Sequence, residues 1–193
     1  MNINVSGIWD NIFKRKQEEV EKNVIDIIKD ISLFQNLTHR ELRNVAQSAY
    51  IRHYEPFEAI IKEGQSSAGM YIIMNGEAEI FKQSQDGVKT VLGHLEESDI
   101  FGELGLIDNS PRNATVTAIT STTVISFLRT ELLKLIDENP KTASKLIFKL
   151  AQIIAERLRY TDEKLQKAIG EIKRLRSMLP EDIVPENTKQ SLP

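Results

Sequence analysis

The sequence predicts a mainly β domain set between helices and followed by one long pairing helix, and three observations predict it. Apolar residues recur at helical spacing up to about Ala49, at spacing two from about Tyr50 to Leu128, and at helical spacing again after Arg129. Turn-forming residues punctuate the middle region at roughly ten-residue intervals, as in a small sandwich or barrel of short strands. A seam of apolar positions in alternating steps of three and four runs toward the end of the chain.

The first region holds two stripes. Val20, Val24, Ile27, Ile28 and Ile31 form one, and Leu42, Val45, Ala46 and Ala49 form the other. Thr38 followed by Glu41 is a capping box, because each side chain satisfies the other residue's free backbone N–H, so the second helix is expected to open there.

In the β region, MYIIM and EAEIF flank Asn75-Gly76, a dipeptide suited to a tight hairpin. Glu63-Gly64, Asp86-Gly87, Ser98-Asp99 and Asn109-Ser110-Pro111 supply the other turns. After Arg129, ELLKLI ends near Asn139-Pro140, and a helical run extends from Lys141 to Leu179. Within it Leu158, Thr161, Leu165, Ala168, Ile172, Leu175 and Leu179 keep a heptad repeat. A helix of this length outruns a barrel of some 80 residues, so the seam is read as a homodimer contact. The polar tail bracketed by Pro180 and Pro185 reads as disordered.

Composition narrows the chemistry. The chain has 193 residues, 40% of them hydrophobic, enough for one core plus extensions. With no cysteine, disulfides, iron-sulfur clusters, thiolate zinc sites and cysteine nucleophiles are excluded. A formal charge of -3 gives no general polyanion-binding signature. No apolar run approaches the roughly 20 residues that span a bilayer, and MNINVSGIWDNIF lacks the pattern of a signal peptide, so a cytoplasmic location is expected. His39, His53 and His94 are isolated, so neither a metal site nor an enzyme is expected. Trp9, Ile12 and Phe13 beside Lys14, Arg15 and Lys16 are read as packing on the barrel or a partner subunit rather than as a membrane anchor.

The stretch FGELGLIDNSPRNATVTA, from Phe101 to Ala118, carries the candidate site. Gly102 permits a sharp turn and close approach of backbone to a ligand, and the helical turn GELGLI begins with unpaired N–H groups. Arg112 arrives from the second turn, behind Pro111, with a planar fork suited to phosphate oxygens. A carboxylate at Glu103 would repel a phosphate unless it met a donor on the same ligand, such as a ribose hydroxyl. One Arg suits one negative charge better than a triphosphate, and no Gly-x-x-x-x-Gly-Lys-Ser/Thr loop occurs. A cyclic 3′,5′-monophosphate has one charge and one free ribose hydroxyl. The same spacing also suits a plain salt bridge between Glu103 and Arg112.

FGELGLIDNSPRNATV resembles the phosphate-binding cassette of the cyclic-nucleotide-binding domain family, with Gly-Glu-Leu, Pro-Arg and Ala-Thr-Val at family spacing. LFQNLTHRELRNVA and EGQSSAGMYIIMNGEAEIF resemble the same family. The resemblance implies an eight-stranded β-roll (a jelly roll, or double-stranded β-helix) with flanking helices, and ligand contacts at Gly102, Glu103, Leu104, Arg112, Asn113 and Ala114. Two positions depart from it: Phe57 stands where the family often has glycine, and Ser98-Asp99 replaces the usual Gly-Asp.

LAQIIAERLRYTDEKL is similar to the dimerisation helix of the bacterial cAMP receptor transcription factors, which implies base contacts at Thr161 and Asp162. A polar residue at a seam position also suits a register-setting role. Only 14 residues follow Leu179, so no helix-turn-helix is expected and the chain is not expected to read DNA alone. Asn113 stands where several cGMP-preferring relatives have Thr, which leaves base preference open.

The expected organisation is a helical extension at 1–31, a cyclic-nucleotide-binding domain at 32–139, a dimerisation helix at 140–179 and a disordered tail at 180–193. The expected function is a homodimeric receptor for cAMP, with cGMP as the other candidate, that needs no cofactor and signals to another protein, itself unidentified, through its long helix. The alternative is a scaffold that keeps the fold without binding nucleotide.

Overall fold

The computed structural model describes residues 21–178. The readings placed on Trp9 to Lys16, on Val20, on Leu179 and on the tail lie outside these residues. Residues 21–28 form α1, a 3-10 turn covers Ser32–Phe34, and α2 spans His39–Gln47. The capping box forms as the sequence implies: Thr38 N donates to Glu41 Oε2 at 2.7 Å and Glu41 N to Thr38 Oγ1 at 3.3 Å. Val24, Ile28, Ile31, Leu42, Val45 and Ala46 are buried. Ala49 is a correction: it opens the first strand rather than closing the helical stripe, because its backbone pairs with Phe127.

Eight strands follow: β1 Ala49–Tyr54, β2 Ala59–Ile61, β3 Gly69–Asn75, β4 Ala78–Gln83, β5 Lys89–Leu95, β6 Ile100–Phe101, β7 Thr115–Ala118 and β8 Thr122–Leu128. They make two four-stranded antiparallel sheets, ordered β1-β8-β3-β6 and β2-β7-β4-β5. This is the eight-stranded β-roll that the resemblance implied. Between the sheets lie Ile60, Ile61, Ile73, Phe101, Val116 and Val124, joined by Tyr54, Tyr71, Ile80 and Leu95. Phe127 points to the other face of its sheet and meets Phe34 at a ring distance of 5.6 Å, which seats the N-terminal helices.

The tight hairpin expected at Asn75-Gly76 does not form. Gly76 takes a φ of +94°, as a turn glycine would, but β3 pairs with β6 and β8 while β4 pairs with β5 and β7. Both edges of each strand are taken, so the turn carries the chain from one sheet to the other. Asp86-Gly87, by contrast, does join a paired hairpin, β4 to β5.

The remaining helices are α3 Leu104–Ile107, α4 Arg129–Glu138 and α5 Pro140–Ser177. Proline at the first position of α5 sacrifices no helical hydrogen bond, since that N–H has no partner within a helix. The described residues fall into two compact units, one ending at Leu150 and the other beginning at Ala151. In the first, Thr142, Ala143, Leu146 and Leu150 are buried. In the second, Leu158, Leu165, Ile172 and Leu175 are all exposed. No described helix is long and apolar enough to cross a membrane.

Candidate functional site

β6 delivers the chain to Gly102, whose φ of +67° is a left-handed conformation that strains most other residues. A Cβ there would also lie 2.7 Å from Arg112 Nη1. The short helix α3 starts at once, with Gly105 N donating to Gly102 O at 3.0 Å and Leu106 N to Glu103 O at 3.0 Å. Glu103 occupies the N-cap position without a side-chain cap bond, and it is 7% exposed.

Arg112 comes from the loop after α3. Its N–H donates to Gln65 O at 2.9 Å and its carbonyl accepts from Gly64 N at 2.8 Å, which pins it to the loop between β2 and β3. The side chain is 8% exposed. Nη1 donates to Gly102 O at 2.9 Å and Nη2 to Gly69 O at 2.7 Å. Burial lowers the pKa of the guanidinium, while Tyr71 and the Glu103 carboxylate oppose that shift. A charge so placed is costly in isolation, and two neutral carbonyls share it without cancelling it. An anion reaching the guanidinium would recover much of that cost.

The structure therefore assembles Gly102, Glu103 and Arg112 at one place. Leu104 is exposed on α3, Asn113 is exposed beside Arg112, and Ala114 is half-buried before β7. Thr161 and Asp162 belong to the second unit, where both are exposed. The Thr161 hydroxyl donates to Arg157 O at 2.8 Å, a bond within its own helix. Among the described residues no cluster of three or more His, Asp or Glu could hold a metal.

Sequence reasoning missed the Gly69 carbonyl and Tyr71. Gly69 is 43 residues from Arg112, and no local pattern announces that bond. Tyr71 had a readable signal: it shares the strand face of Ile73, which lies in the core.

The fold is thus an eight-stranded β-roll that holds a buried Arg and a buried Glu beside a glycine turn. Residues 51–139 match the family model of the cyclic nucleotide-binding domain, and this part of the chain is a domain of that family. A cAMP-dependent protein kinase regulatory subunit of Mycosarcoma maydis is 39% identical over 49% of this chain and 18% of its own length. A CRP-like cAMP-activated global transcriptional regulator of Mycobacterium tuberculosis is 26% identical over 75% of this chain and 62% of its own. The chain thus spans less than two thirds of either relative. The crystal structure of Thermus thermophilus catabolite activator protein aligns with a TM-score of 0.66 at 26% identity, covering 77% of this chain and 72% of that one.

Proposed function

We propose that this chain is a non-enzymatic receptor for a cyclic nucleotide, cAMP before cGMP, and that it works as a homodimer through the second half of α5. The observation that carries the reading is the buried Arg112 guanidinium, fixed by two carbonyls beside the Glu103 carboxylate. In this reading Arg112 pairs with the single phosphate charge and Glu103 accepts the ribose 2′-hydroxyl. Gly102 and Ala114 let the backbone approach, with Leu104 and Asn113 at the border of the site. The names of both relatives, one a kinase regulatory subunit and one a cAMP-activated regulator, support cAMP as the ligand and a regulatory role. Thr161 and Asp162 would supply base contacts, and ligand-coupled movement of α5 would pass the signal to another protein.

Titration calorimetry with cAMP tests the reading. Wild type should bind, and Arg112→Ala should weaken binding by about 2 to 4 kcal/mol, by comparison with other desolvated charge pairs. Glu103→Gln should weaken it less, because an amide oxygen still accepts the hydroxyl. A wild type that shows neither heat nor thermal shift with millimolar cAMP or cGMP would make the chain a scaffold that keeps the fold alone.

A further inference from the structure

The barrel interior beside Arg112 carries an aromatic wall. Tyr71 on β3 is the ladder partner of Phe101 on β6, and their rings stack with centroids 5.4 Å apart. The Arg112 guanidinium carbon lies 5.7 Å from the Tyr71 ring centroid. Other sides of the guanidinium are closed as well. Gly69 and Gly102 present their carbonyls to its two terminal nitrogens, and a Cβ at Gly105 would lie 2.8 Å from Nη1.

Two hydrogen bonds along one edge leave a planar group free to rock about the line that joins the bonded atoms. The Tyr71 ring, with the guanidinium carbon over it, restricts that freedom. We infer that Tyr71 is a positioning residue for phosphate recognition, holding the plane of the Arg112 guanidinium so that its remaining donors keep one direction. A guanidinium carries five N–H donors; two are given to carbonyls here and the Tyr71 hydroxyl is a further hydrogen-bond partner, so the donors that remain are the ones Tyr71 helps to aim. The ring also attracts the cation, which offsets part of the cost of burying it before a ligand arrives.

The inference rests on Arg112 as the phosphate contact, and a double-mutant cycle separates the two. The Kd for cAMP is measured for wild type, Tyr71→Leu, Tyr71→Phe, Arg112→Ala and the double variant Tyr71→Leu with Arg112→Ala. Unliganded melting temperatures show which variants fold. Tyr71→Leu should raise Kd about tenfold and Tyr71→Phe by less, since the ring remains. In the Arg112→Ala background, Tyr71→Leu should change Kd less than twofold. Should Tyr71→Leu fail to fold, Tyr71→Met carries the same expectation. An equal loss in both backgrounds, or no loss in either, overturns the role of Tyr71 while leaving the receptor standing. A wild type that binds no cyclic nucleotide overturns both.

Discussion

At Phe57 and Ser98 the chain keeps a glycine's backbone without a glycine. Their φ values are +70° and +73°, both left-handed. The two turns are built alike. Glu58 N donates to Glu55 O at 3.0 Å and Asp99 N to Glu96 O at 3.0 Å, which puts Phe57 and Ser98 at the third turn position, where glycine is normal. In each turn the carboxylate at the fourth position also accepts from the N–H of the first: Glu55 N to Glu58 Oε2, and Glu96 N to Asp99 Oδ2. The departure from the family pattern was thus legible in the sequence, but its consequence was not, because sequence alone does not say whether the turn changes shape or bears the strain. It bears the strain. Phe57 is 85% exposed, so its ring gains little from packing. Replacing either residue by glycine removes about 1 to 2 kcal/mol of strain, and a more flexible unfolded chain takes back part of that. Phe57→Gly and Ser98→Gly should each stabilise the fold by about 0.5 to 1 kcal/mol in urea titration. A loss of stability in both would show that neither turn is strained.

Among the elements, α2 and the start of α5 are joined by one carboxylate. Glu41 closes the capping box of α2 and also accepts from Lys145 Nζ at 2.8 Å and from Thr142 Oγ1 at 3.3 Å. The capping box was readable because its two residues are three apart, with a fixed geometry. The tie to α5 was not, since Lys145 is 104 residues away and many other exposed lysines looked the same. The bond from Lys145, and after it the Thr38 backbone N–H, lower the Glu41 pKa from its ordinary 4.5 to about 2. A depressed folded pKa stabilises the fold fully above the unfolded value, and the contribution fades as pH falls from about 4.5 to about 2. Glu41→Gln should therefore cost about 1 to 2 kcal/mol at pH 7 and progressively less toward pH 2. Wild-type and variant stabilities that stay equally far apart between pH 7 and pH 3 would mean that Glu41 contributes through packing instead of charge.

For the whole molecule, the open matter is what covers the second unit. Leu158, Leu165, Ile172 and Leu175 repeat along one stripe of α5 and are all exposed in a single chain. The heptad spacing was plain from sequence because it needs only a period, whereas what covers the stripe is not written in the period. Isolated helices of this kind are marginal in water, since few residues gain tertiary contacts to offset the ordering of the backbone. Gly170 weakens this one further, by about 1 kcal/mol relative to alanine. Pairing with a second copy would bury all four residues, and each large apolar side chain removed from water contributes about 1.5 to 3 kcal/mol. Thr161 and Ala168 at the intervening positions are small enough to let two helices approach closely. Replacing both Leu165 and Ile172 by Lys places like charges at facing seam positions, where no solvent remains to screen them. Wild type should sediment as a dimer at micromolar concentration with or without cAMP, and the double variant as a monomer. The variant should also lose helical circular dichroism, because the second unit would no longer be held by a partner. Its first unit carries Gly102, Glu103 and Arg112, so phosphate-dependent binding should survive, with reduced preference for cAMP over cGMP if the base contacts of Thr161 and Asp162 depend on the dimer. A wild-type monomer with an intact helix would remove the paired helix from the proposed mechanism and leave nucleotide recognition to the barrel alone.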